Sequence, residues 1–162
     1  MDNNIEVRKV EYEDEIIALA PLIRKFFKET TPVYTEDEFY KTLFNDLKTK
    51  EGILAFANED GKPIAYVYAV HMRDFTGDAI AVVQGYSSKP FTMRKLRDII
   101  DEWTLSWNTK KQIFLVPPKL QHYYEMQFGC KLQLLYMTRI VESAEVQTTE
   151  VEENVIAESA ST

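Results

Sequence analysis

A strand that leads straight into an amphipathic helix constrains the fold of this chain more than any other feature. Residues 79–84 form an apolar run closed by Gln84, which reads as a strand. From Met93 onward Leu96, Ile99, Ile100, Trp103 and Trp107 recur at helical spacing. Arg94, Lys95, Arg97, Asp98, Asp101 and Glu102 take the opposite face, so this helix must bury its apolar stripe against a core. The two elements are joined by Gly85-Tyr86-Ser87-Ser88-Lys89-Pro90-Phe91-Thr92. A loop that enters a helix N-terminus presents unpaired backbone amides at the positive end of the helix dipole, which suits an anion. Gly85 is the only glycine in this one, so the loop is poorly composed for cradling a phosphate.

The elements around the junction follow from periodicity and turn chemistry. Residues 5–10 read as an opening strand, followed by a helix carrying Ile16, Ile17, Leu19, Ala20, Ile23, Phe26 and Phe27, which Pro21 is expected to bend. Thr35 with Glu38 three residues on is a capping box, and Phe39, Leu43, Phe44 and Leu47 give the second helix its stripe. Runs 52–57 and 63–72 flank Asp60-Gly61, a strong hairpin signal, and a second turn at 74–78 extends the meander to three strands. Beyond the Trp-bearing helix, residues 112–116 read as a short strand. Pro118 suits the first turn of a helix that Gly129 ends, and residues 131–141 close the order as a strand.

This is an α+β order with a mixed, mostly antiparallel sheet flanked by helices. With 162 residues and 45% hydrophobic content, the chain reads as one globular domain, 1–141, followed by an acidic arm, 142–162. The arm has no aromatic residue and six of the chain's glutamates, which account for nearly all of the formal charge of −7. Its composition predicts a flexible segment that orders only on a partner. A near-neutral body argues against nucleic-acid or anionic-membrane binding. The single cysteine, Cys130, rules out an internal disulfide framework and fits the cytoplasm, with no leader and no apolar run long enough to span a bilayer. Two histidines and one cysteine in separate elements define no metal site.

The order of elements over residues 5–141 resembles the GNAT superfamily of N-acetyltransferases, in which the loop after the fourth strand binds the acetyl-CoA pyrophosphate. The resemblance assigns Gly85, Ser87, Ser88, Lys89 and Arg94 to cofactor binding. The family loop usually reads Arg/Gln-x-x-Gly-x-Gly/Ala; here no glycine follows Gly85, Pro90 has no N–H, and bulky Phe91 is expected to crowd the approach. The segment from Val116 to Gly129 and Cys130 looks like the family helix that ends in a Gly-Phe pair. Where many members carry a general-acid Tyr four residues before that Gly, this chain has Glu125, with Tyr124 one residue earlier. His71, between Val70 and Met72 in a strand, is a further candidate base, although a partly buried sheet histidine is the plainer reading.

These substitutions lead to the expectation of a non-catalytic acetyltransferase-like protein with no cofactor, similar to acetyltransferase-like virion proteins of tailed bacteriophages. It would dock on protein partners through residues 142–162. The alternative is an acetyl-CoA-dependent N-acetyltransferase acting on a small-molecule or protein amine.

Overall fold

The computed structural model describes residues 5–114 and 121–128. They build a five-stranded sheet of order β1-β2-β3-β4-β5 from β1 (Ile5–Lys9), β2 (Gly52–Glu59), β3 (Lys62–Asp74), β4 (Gly77–Ser87) and β5 (Gln112–Phe114). Four strands pair antiparallel in sequence order, and β5 returns parallel to β4. The connection between β4 and β5 is α3 (Thr92–Ser106), while α1 (Glu13–Thr30) and α2 (Glu36–Thr49) precede β2 and α4 (Gln121–Phe128) follows β5.

Side-chain alternation sorts the core into two layers. Ala55, Ala57, Ala65, Val67, Ala69, Ile80 and Val82 face α3, which contributes Met93, Leu96 and Ile100. The alternate residues Leu54, Phe56, Tyr66 and Tyr68 face α1 and α2 and meet Leu19, Ile23, Phe39 and Leu43. Four alanines on the α3 face bring that helix close, while aromatic rings fill the opposite layer. A sheet covered on both faces needs strands apolar at successive positions, which is why 79–84 reads as an unbroken run.

Local signals set the element ends. Thr35 caps α2 by accepting the Glu38 amide at 3.2 Å while the Glu38 carboxylate accepts the Thr35 amide at 2.7 Å. Asp60 and Gly61 both take positive φ in the β2–β3 turn, as a tight hairpin requires. Gly52, where β2 begins, lies so close to α2 that a Cβ there would stand 2.7 Å from the Asp46 Cβ. Pro21 does not break α1, which runs from Glu13 to Thr30, and Ile17 lies on its outer face, 70% exposed. Phe44 is likewise exposed on α2.

One further expectation is corrected. The strand does not stop at Gln84: β4 continues to Ser87, and Gly85 pairs with Val67 inside it. At the far end of the sheet the Lys111 ammonium pairs with Asp74. The expected positions of Pro118, Gly129, Cys130, the strand 131–141 and the arm 142–162 lie outside the described residues.

Candidate functional site

The junction is a four-residue loop, Ser88 to Phe91, between β4 and α3. Most of its polar groups are engaged. Ser88 donates both its amide and its hydroxyl to the Ile64 carbonyl at 2.9 Å, which ties the loop to β3. The Ser87 hydroxyl donates to the Lys89 carbonyl at 2.6 Å and accepts the Lys89 amide at 3.2 Å. The Lys89 ammonium forms an ion pair with Glu59 at the end of β2, so the one lysine assigned to anion binding is already neutralised.

At Phe91 the backbone turns sharply, with φ 64° and ψ −7°. This left-handed region is one glycine enters freely and a bulky residue enters at a cost of about 1–2 kcal/mol. The position that lacks a glycine therefore adopts a glycine's conformation. The ring does not fill the loop as expected; it stands 62% exposed, with the Arg94 guanidinium 5.2 Å from its centroid.

The helix that starts here differs from α1 and α2 in its electrostatics. Glu13, Asp14 and Glu15 occupy the first turn of α1, and Glu36, Asp37 and Glu38 that of α2. The first turn of α3 has no acidic residue and no side-chain cap, and it carries Arg94 and Lys95. Among the described residues the amides of Thr92 and Met93 meet no side-chain acceptor. The Thr92 hydroxyl, in a residue 2% exposed, is buried without a partner. Orphan amides at the positive end of a helix, with cationic side chains beside them, fit a phosphate group.

Upstream, the pairing of β3 with β4 slips by one residue. Tyr68 faces Gln84 but Ala69 faces Val82, so Val83 is an extra residue in β4. The parallel pairing of Ile80–Val82 with Gln112–Phe114 extends, among the described residues, up to this bulge. The bulge places Gln84, 2% exposed, on the α1/α2 side of the sheet. There its amide donates to the Tyr66 hydroxyl, and its carbonyl accepts the Tyr34 hydroxyl at 3.0 Å. Burial pushes the Tyr34 hydroxyl up to about 12, so it keeps its proton at neutral pH. No pattern in the sequence singled out this network, because it joins the α1–α2 loop to two strands and exists only once the bulge sets the register.

Of the candidate acid–base residues, His71 does not converge with the loop. His71 in β3 stacks on Trp107 at 3.8 Å between centroids, with Nε2 3.2 Å from Asp78. It lies six residues along β3 from Ala65, the partner of Ser87, roughly 20 Å at strand rise. The Glu125 carboxylate accepts the Gln121 amide at 2.8 Å on α4, and His122 is exposed. The side chains of Tyr123 and Tyr124 lie outside the described residues. No cluster of metal-ligating side chains occurs among the described residues, and no helix there is long and apolar enough to cross a membrane.

Two spaces bear on where a ligand could sit. The crevice where β4, β5 and α3 meet, with Val67, Val82, Leu96 and Phe114 in its walls, is too narrow to admit a water molecule. A groove of about 810 Å³, with Val10, Phe44, Leu47, Ile53 and Trp103 in its walls, opens where β2 begins. The loop is tethered to Glu59 at the opposite end of that strand, so the groove is a separate feature.

No protein-family model and no curated protein matches the chain. Solved structures do. A predicted acetyltransferase from Clostridium acetobutylicum, solved with acetyl-CoA, superposes with a TM-score of 0.69 at 14% identity, covering 84% of this chain and 96% of that one. Glucosamine-6-phosphate N-acetyltransferase from Arabidopsis thaliana gives 0.65 at 17% identity, with 86% and 99% covered. An aminoglycoside 6'-N-acetyltransferase from Acinetobacter baumannii gives 0.69 at 10% identity, with 86% and 100% covered. At these identities the likeness is one of architecture: a mostly antiparallel sheet flanked by helices, carried along nearly the whole of each neighbour. The chain has the fold of the GNAT acetyltransferases.

Proposed function

We propose that the chain binds a CoA thioester at the N-terminus of α3 and transfers its acyl group to an amine. The observation that carries this reading is the left-handed Phe91 followed by an uncapped helix start whose first turn has cations and no acid. Folding gains nothing from that arrangement, since α2 shows how this chain caps a terminus when stability alone is served, and α1, which also lacks a side-chain cap, sets three acids in its first turn. The amides of Thr92 and Met93 would hold a phosphate, and Arg94 and Lys95 would offset its charge. When bound, the cofactor supplies an acyl group activated as a thioester. Gln84 is buried at the bulge four residues before the loop and accepts the hydroxyl of the half-buried Tyr34. With its proton retained, Tyr34 serves as a hydrogen-bond donor and not as a base. That structural neighbours include an acetyltransferase with acetyl-CoA supports the same chemistry.

Calorimetry on the full chain tests the reading. Acetyl-CoA at 100 times its dissociation constant is expected to stabilise the fold by about 2.7 kcal/mol through linkage. No heat and no thermal shift at millimolar acetyl-CoA would overturn it.

A second reading is an acetyltransferase-like module that serves a larger assembly such as a phage virion and docks through residues 142–162; what favours it is that the junction offers a cofactor little. The Ser88 and Lys89 amides are already satisfied, Lys89 is paired with Glu59, and the crevice beneath α3 is closed. Deleting 142–162 is then expected to abolish assembly with the native partner, and unchanged occupancy would remove this reading.

A further inference from the structure

We propose that Phe91 and Arg94 form a stacking platform for the adenine base of the bound thioester, so that this chain selects a nucleotide-bearing donor. The inference rests on the CoA reading above and goes beyond it in naming what the loop recognises.

Phe91 is unfavourably placed on two counts. Its backbone is left-handed, and its ring stands in solvent. A polar or small residue would remove both costs, so the ring's position calls for a use. One face lies under the Arg94 guanidinium at 5.2 Å. The residue is nonetheless 62% exposed, so it keeps surface open for a ligand beside the Arg94 contact. A flat aromatic surface polarised from behind by a guanidinium is the arrangement on which purine bases stack, since every base presents a π-face and the cation strengthens the contact.

The surroundings match the rest of a nucleotide. The amides of Thr92 and Met93 sit one and two residues from the ring, at a helix start that lacks acidic side chains. Thr92 adds a hydroxyl that is buried and unpartnered at the first helical position. Lys95, exposed in the same turn, stands ready for a further phosphate. A diphosphate on the amides would bring its base within reach of Phe91, whereas a phosphopantetheine without a nucleotide would leave the ring unused. A glycine loop recognises phosphate through backbone alone; here part of that recognition passes to a side chain.

Calorimetry with three probes separates the possibilities: CoA, adenosine 3',5'-bisphosphate and 4'-phosphopantetheine, each titrated into wild type, Phe91→Gly and Phe91→Tyr. Glycine keeps the left-handed backbone and removes only the ring, and tyrosine restores it. The expected result is about tenfold weaker binding of CoA and of the bisphosphate by Phe91→Gly. Phosphopantetheine should be unaffected, and Phe91→Tyr should match wild type. Equal or tighter CoA binding by Phe91→Gly would overturn the platform while leaving the CoA reading intact. So would an equal loss for phosphopantetheine. If wild type bound none of the three, the CoA reading itself would fail and the platform with it.

Discussion

Gln84 and Asp74 show how single polar residues hold this fold. Gln84 is buried between Tyr34 and Tyr66, and replacing it with Leu withdraws the acceptor from the half-buried Tyr34 hydroxyl and the donor from the buried Tyr66 hydroxyl. Gln84→Leu is expected to cost about 1–3 kcal/mol. Tyr34→Phe made in the same background should add less than it does alone, which denaturant melts in a double-mutant cycle would show; full additivity would mean the hydrogen bond contributes nothing. Asp74 sits in the β3–β4 turn, where the Lys111 ammonium and then the Thr76 hydroxyl and amide hold its carboxyl down to about 2. Because its folded value lies below its ordinary 3.8, the stability it confers is present above that value and lost as pH falls towards 2. Urea midpoints measured between about pH 5 and 2 should therefore fall more steeply for wild type than for Asp74→Asn. Parallel curves would refute the assignment. Asp74 was legible as a turn residue, but its tie to Lys111 was not, since the two are brought together by β5 returning beside β4.

Among the elements, α2 and α3 are opposites. The reciprocal bonds of Thr35 and Glu38 make the start of α2 a stability device, and Thr35→Ala is expected to cost about 1 kcal/mol. A loss below a few tenths in chemical denaturation would show that the cap is replaced by solvent. The start of α3 has no equivalent, and its first turn is cationic. Both starts could be located from sequence, because capping residues and apolar periodicity act within a few positions. The conformation of Phe91 could not, since left-handed backbone at a phenylalanine contradicts local preference and is held by the tether of Ser88 to Ile64 and the packing of Met93 and Leu96 beneath. The bulge at Val83 was hidden for a related reason. A run apolar at every position reads the same in either register, so only pairing with β3 decides which side chain faces which layer.

On the scale of the whole molecule, a single sheet joins two core layers. Leu43 under α2 and Leu96 under α3 are both fully buried, on opposite faces. Either change to Ala should cost about 2–5 kcal/mol. If the sheet makes the layers one cooperative unit, helix signal and tryptophan fluorescence will melt together in both variants; separate transitions would show that the layers unfold independently. Sequence by itself determined the element order from β1 to α4, both hairpin turns, the capping box and most of the helical apolar stripes, and with them the α+β class, because each follows from forces acting over one turn or one strand. It also singled out the loop after β4 as a candidate anion site. Only the tertiary structure decided what that loop offers: Lys89 is taken up by Glu59, Gly85 is an ordinary strand residue, Phe91 is turned outward, and His71 is committed to Trp107. Those outcomes depend on contacts between segments distant in the chain, and local patterning carries no record of them.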